Sequence, residues 1–255
     1  MEKILEAKKI NKTYMSGKEN QQQVLKDIEL TVQKGEFLAI MGQSGSGKST
    51  LLYAISGMDR FDSGSVRFDG LDLAKQSEGV LSELRLTKMG FIFQQSNLLK
   101  NLTIKDNIML ASYLRNEESK KQIQQRADAL MQATGIEQLA DNDITQASGG
   151  QLQRASICRA LINQPEILFG DEPTGALNSK ASSEVIDILS EINQQGTTIL
   201  LVTHDVKVAA RTDRVVFMTD GVIAGEKRLE KIQAEKDNLQ AREEQLMTWL
   251  TGLGF

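Results

Sequence analysis

The sequence predicts an α/β fold: a core of mainly parallel strands, an antiparallel β region at the N-terminal end, and an inserted helical lobe. Three observations predict it. Strand-sized apolar runs alternate with helix-compatible segments through much of the chain. One of them, FLAIMG at 37–42, breaks into GQSGSGKST and then into a helix, the order of strand, phosphate loop and helix. Between about 97 and 164 the character changes, and residues 117–134 are polar, helical and poor in β-branched side chains.

Residues 4–15 read as a strand with polar interruptions, 16–23 as a polar loop, and 24–32 as a second strand ended by Lys34 and Gly35. Tyr14 lies just ahead of that loop. On spacing alone it is a half-buried strand tyrosine, though its face also suits stacking on a purine base. Gly42, Gly47, Lys48 and Ser49 satisfy the spacing GxxxxGKS, and Gly45 adds a position where the backbone can approach a ligand. With Ser44, Ser46 and Thr50 they form a candidate nucleotide-binding stretch, the core of a P-loop NTPase. Backbone N–H groups at a helix start favour a polyphosphate, Lys48 adds a point charge, and the Ser49 hydroxyl suits Mg²⁺.

Further along, 64–70 reads as a strand, 80–88 as a helix and 89–93 as a short strand ending at Gln94. Thr103 and Asp106 make a T-x-x-D helix start. The run at 167–169 stops in Gly170, Asp171, Glu172 and Pro173, and acidic residues at a strand's carboxyl end lie where open α/β sheets bind ligands. A helix at 179–193 precedes a buried-type strand at 197–202, which ends in Thr203, His204 and Asp205. Strands at 215–218 and 222–224 flank Asp220 and Gly221, a hairpin signal. From 226 the chain is expected to be a charged C-terminal helical tail carrying Leu229, Ile232, Leu239, Leu246, Leu250 and Leu253. Lys236 and Glu243 interrupt its apolar stripe, so a solvated helix docked on its own domain is favoured over a coiled coil or partner-binding helix. The stripe is too narrow for deep burial.

The chain's 255 residues hold one large domain with an inserted or appended lobe. A net charge of −4 gives no global basic field, so no nucleic-acid partner is expected. The apolar runs fall short of the roughly 18 residues that a spanning helix needs. The expected place is the cytoplasmic side of the cell membrane, peripheral and held there by a protein partner. The single cysteine, Cys158, sits among helical apolar neighbours and reads as a small buried hydrophobe.

An NTPase needs a phosphate cradle, a Mg²⁺ site, a group to orient water and groups on the γ-phosphate. Lys48 and Ser49 supply the first, Asp171 is a second Mg²⁺-side ligand, and Glu172 is a candidate base for water. Read alone, the Asp171–Glu172 pair is also compatible with a solvated strand end.

At ASGGQLQRA, residues 147–155, the chain resembles the signature motif of the ABC ATPases. It is similar to that family also at Tyr14, at Gln94 in FIFQQ, at ILFGDEPTGAL in 167–177 and at His204 in LLVTHD, in the family's order and over about residues 1–225. The resemblance implies an adenine-stacking role for Tyr14, a catalytic and metal-sensing role for Gln94, and a γ-phosphate contact from His204. It implies ATP and Mg²⁺ as cofactors, with Ser49, Gln94 and Asp171 on the metal and Glu172 as catalytic base. It further implies a head-to-tail homodimer, or pseudo-dimer, in which Ser148, Gly149 and Gly150 of one subunit meet the nucleotide held by Lys48 of the other. The helical lobe would then engage an integral membrane permease subunit.

The stretch DEPTGAL followed by Asn178 and Ser179 looks most like the subgroup serving macrolide export, lipoprotein release and bacitracin resistance. Ala147 and Asn178 stand where the wider family has leucine and aspartate. The leading expectation is an ATP-hydrolysing subunit that powers a separate permease, exporting or removing an antimicrobial peptide, drug or lipid-like substrate. The alternative is a mechanical signalling ATPase acting on a membrane partner without transport, as in cell division. A DNA-repair or chromosome-organising ATPase is disfavoured by the acidic charge and by the lack of a long coiled-coil insertion between Lys48 and Ser148.

Overall fold

In the computed structural model, which describes residues 2–16, 20–229 and 239–255, the chain opens with a long antiparallel hairpin of β1 (Lys3–Ser16) and β2 (Asn20–Gln33). The second strand begins earlier than position 24, because Gln21, Gln22 and Gln23 continue the ladder opposite Met15, Tyr14 and Thr13. Pairing with a long neighbour overrides the weak strand preference of a glutamine run. On the far side of β1 lies β4 (Ser63–Phe68), followed by the short β5 (Leu71–Asp72), which completes a four-stranded sheet.

The second sheet holds β3 (Phe37–Gly42), β6 (Met89–Phe93), β7 (Ile167–Asp171), β8 (Thr198–Val202), β9 (Arg214–Thr219) and β10 (Val222–Arg228), in the order β10-β9-β3-β8-β7-β6. All of its pairs are parallel except β9–β10, which forms the expected hairpin. Asp220 and Gly221, with φ of 46° and 81°, supply the left-handed turn that matches the strand twist.

Both faces of this sheet are covered, which is why its strands read as unbroken apolar runs. Leu38 and Ile40 face α1 (Lys48–Ile55) and the first sheet, while Phe37, Ala39 and Met41 face α6 (Ser179–Gln194). Between them in sequence comes α2 (Glu78–Thr87), capped by Ser77.

The helical lobe is α3 (Ile104–Arg115), α4 (Lys120–Ala133) and α5 (Gly149–Leu161) around a core of its own that includes Ile108, Ile123, Met131 and Cys158. The Thr103 hydroxyl accepts from Asp106 N at 3.0 Å, so the T-x-x-D pattern caps α3. Burial pushes the Cys158 thiol up to about 11, which makes it inert packing.

The C-terminal region departs from expectation in two ways. Glu226, Lys227 and Arg228 finish β10, opposite Val216, Val215 and Arg214, and Leu229 follows with its N–H bonded to Asp213 O at 2.8 Å. Pairing along β9 here outweighs a charged composition that reads as helix. The helix itself is α8 (Leu239–Thr251), preceded in sequence by the short α7 (Val206–Ala209); Ile232 and Lys236 lie outside the described residues. Leu246 and Leu250 are 0 % exposed, sunk in the core beside α6 and α7, so the narrow stripe is nevertheless deeply buried. Arg242 Nε donates to Ala210 O at 2.8 Å, Phe255 packs edge-on against Phe217, and Gln43 Nε2 in the phosphate loop donates to Gly254 O at 3.0 Å.

Because Leu250 fills a closed core, Leu250→Ala is expected to cost about 2–5 kcal/mol. A thermal melt should show a drop of several degrees. An unchanged melting temperature would mean that α8 does not dock in solution.

Candidate functional site

Parallel register lines up the strand ends. Ile40 and Asp171 both sit opposite Val202, and Phe93 sits opposite Asp171. The residues that leave these strands therefore emerge along one edge: the phosphate loop from β3, Glu172 from β7, Thr203 and His204 from β8, and Gln94 from β6. This is the carboxyl edge, where open α/β sheets hold ligands.

The loop is tightly drawn. A Cβ on Gly42, whose φ is +154°, would lie 2.2 Å from Met218 O, so only glycine fits there. No side chain caps α1, leaving its first N–H groups directed at the loop's concavity. Lys48 is buried, and its Nζ donates to Gly42 O at 2.9 Å and to Gln43 O at 2.7 Å. Burial holds its ammonium below the usual lysine range, and the charges of Glu172 and Asp171 work against that shift. Ser44 and Gly45 are exposed, whereas Ser46 Oγ is buried with no hydrogen-bond partner among the described residues. An orphaned buried hydroxyl in a ring of donors fits a polar ligand.

Asp171 is gripped from α1. Ser49 Oγ donates to its Oδ1 at 2.7 Å and Tyr53 Oη to its Oδ2 at 2.5 Å. Burial and then this bond raise the Tyr53 phenol above its ordinary value, so it acts as the donor. Glu172 holds a left-handed backbone, φ 47°, fixed by its N–H on Val202 O at 3.0 Å. Such a conformation costs a non-glycine residue on the order of 1 kcal/mol or more and gathers at functional sites. Glu172 Oε1 lies 3.3 Å from His204 Nδ1. A Cβ added to Gly175 would meet both Gln94 Nε2, at 2.9 Å, and Glu172 Oε2, at 3.2 Å, so these two side chains converge over that glycine. Glu172, Gly175, His204, Asp205 and Lys207 line a cleft of about 390 Å³, which Glu243 of α8 also borders.

Tyr14 is 42 % exposed near the end of β1 rather than half-buried. Its hydroxyl donates to Asp59 Oδ2 at 2.8 Å and interacts with the Thr50 side chain, and Lys12 Nζ lies 4.8 Å over its ring. A cation on the ring and a carboxylate on its hydroxyl hold the aromatic plane beside the start of α1.

Ser148, Gly149 and Gly150 are not brought to the loop. Ser148 caps α5 in a reciprocal pair with Gln151, while Gly149 and Gly150 pack against Leu177 and Ala181 at the start of α6. None of these contacts is with the phosphate loop, although Leu177 also lines the cleft beside Glu172 and His204.

A family model described as ABC transporter matches residues 25–175, more than half of the chain. The chain belongs to that family. It is 44 % identical over 220 residues to the macrolide export ATP-binding/permease protein MacB of Neisseria meningitidis serogroup A, covering 86 % of this chain and 34 % of that protein, so it spans about a third of the MacB length. It is 43 % identical over 221 residues to the bacitracin export ATP-binding protein BceA of Halalkalibacterium halodurans, covering 86 % of this chain and 87 % of that one. A dimeric post-hydrolysis state of the ATP-binding cassette MJ0796, bound to ADP and Pi, matches with a TM-score of 0.83 at 36 % identity over 89 % of this chain and all of that chain. As an ABC cassette, the chain is an ATP-binding ATPase.

Two contributors to this cassette's site escaped the sequence reading. Tyr53 had a readable signal, because it lies four residues beyond Ser49 and shares its helix face. Asp59 had none, since it reaches Tyr14 across 45 positions.

Asn178 caps α6, its Oδ1 accepting from Ala181 N at 2.9 Å. Asp caps as well as Asn, so Asn178→Asp should melt with the parent, whereas Asn178→Ala should lose about 1 kcal/mol. In steady-state kinetics Asn178→Asp is expected to change kcat and leave KM for ATP unaltered. The opposite split would contradict a role for this position in turnover.

Proposed function

We propose that this protein is the ATP-binding and ATP-hydrolysing subunit of an exporter, working as a head-to-tail homodimer on the cytoplasmic side of the membrane to drive a permease. The observation that carries this reading is the separation within one chain. Lys48, Ser49, Gln94, Asp171, Glu172 and His204 gather at the strand ends, while the contacts of Ser148, Gly149 and Gly150 run to Gln151, Leu177 and Ala181 and none runs to the phosphate loop. A second copy placed head to tail would bring Ser148 and the two glycine N–H groups onto the outer face of a nucleotide held by Lys48, as donors to developing charge. The dimeric state of the MJ0796 cassette, bound to ADP and Pi, supports pairing of two cassettes.

Mg²⁺ fits the residues present. The Ser49 hydroxyl, the Asp171 carboxylate and the Gln94 amide oxygen are hard donors, few enough to leave room for phosphates and water. When bound, the ion neutralises charge on the β- and γ-phosphate oxygens. Lys48 would turn its ammonium from the loop carbonyls to the phosphates. Glu172 would take the proton of the attacking water, and Gln94 and His204 would hold that water and the γ-phosphate from either side.

The MacB and BceA relatives, named for macrolide and bacitracin export, support a drug or antimicrobial-peptide substrate. The BceA relative, named as an ATP-binding protein for export, supports work with a permease partner. No helix among the described residues is long and apolar enough to cross a membrane. Leu99 and Leu114, 46 % and 68 % exposed on the lobe, offer apolar surface to such a partner.

Reconstituted in vesicles with the membrane protein that co-purifies with it, the parent should drive ATP-dependent movement of drug, peptide or lipid. Glu172→Gln should bind ATP but move nothing, with turnover down by about a hundredfold or more. Lys48→Ala should lose ATP binding itself, because the loop's only lysine is gone. Hydrolysis with a bound permease but no movement of any such substrate would sink transport and favour mechanical signalling.

A further inference from the structure

Ser49 and Tyr53 stand one helical turn apart on the same face of α1, and each gives its hydroxyl proton to a different oxygen of Asp171. We propose that Tyr53 is a positioning residue for the metal side of the site, its hydroxyl fixing the orientation of the Asp171 carboxylate that would take Mg²⁺. The inference rests on the Mg²⁺–ATP reading above.

A carboxylate held at one oxygen swings easily, because its terminal torsion is broad. Held at both oxygens, it is fixed in orientation. Ser49 can keep its proton on Asp171 while its oxygen lone pairs face a cation, so its bond survives metal binding. Tyr53 makes the complementary bond to the other oxygen, Oδ2. The ring that carries this hydroxyl is itself fixed, half-buried against the core that also holds Phe169 of β7. The Tyr53 hydroxyl therefore does for the Asp171 carboxylate what outer-shell partners do for metal ligands generally, and losing such a partner typically costs about 10–100-fold in metal affinity.

The test uses the full chain and a fluorescent, non-hydrolysable ATP analogue, titrated first in EDTA and then with increasing free Mg²⁺. Tyr53→Phe removes the hydroxyl and keeps the ring. It should bind the analogue in EDTA within about twofold of the parent and need about tenfold more Mg²⁺ for half-maximal enhancement of binding. Tyr53→Leu, which keeps apolar bulk but has no hydroxyl either, should show the same Mg²⁺ shift. An Mg²⁺ requirement equal to the parent's in Tyr53→Phe overturns the proposal. So does a loss of affinity of the same size with and without Mg²⁺, which marks a packing role. A parent whose nucleotide binding ignores Mg²⁺ altogether overturns both this inference and the reading beneath it.

Discussion

The backbone pairing of β3, β8, β7 and β6 in parallel register is the constraint on which the rest of the structure depends. Hydrogen bonds that set Ile40 and Asp171 level with Val202, and Phe93 level with Asp171, also decide where Lys48, Glu172, His204 and Gln94 emerge. A register slip would turn each strand's apolar set to the wrong face. The two cores on either side of β3 oppose that slip, with Leu38 and Ile40 in one and Phe37, Ala39 and Met41 in the other. Site geometry is thus held by the burial of residues that take no part in chemistry.

Charge is concentrated at this edge under strain. Lys48 is buried and pulled below its usual range, Glu172 keeps a left-handed backbone, and Ser46 Oγ is left without a partner among the described residues. Each is unfavourable for folding alone, and a polyphosphate would relieve two of them, as a counter-charge for Lys48 and an acceptor for the Ser46 hydroxyl. Asp171 stands apart from these because it is satisfied at both oxygens, by Ser49 and Tyr53. The site combines one settled carboxylate with neighbours that are poised to rearrange.

The fold was largely legible because a parallel sheet covered on both faces needs unbroken apolar strands, and FLAIMG, ILF and TILLV are such runs. The phosphate loop was legible for a different reason: its glycines answer to local backbone geometry that spacing alone reveals. What local pattern could not supply was partnership at long range. Residues 226–228 look like the start of a helix and instead pair with β9, and Leu246 and Leu250 sit on a stripe that looks shallow until α6 and α7 close over it. Tyr14 needed Asp59 to fix its ring, and no periodicity connects them. The separation of Ser148 from Lys48 within one chain is likewise a property of how α5 and α6 pack, which a linear motif order cannot express.

The proposed head-to-tail dimer is the central claim, because in it each chain would be half of a nucleotide site. Analytical size exclusion of Glu172→Gln with ATP and Mg²⁺ tests it most directly, since this variant should retain ATP without turnover. The account predicts a stable dimer that holds two ATP molecules and dissociates when Ser148 is replaced by a bulky arginine. A protein that binds ATP fully while remaining monomeric under every nucleotide condition would contradict it.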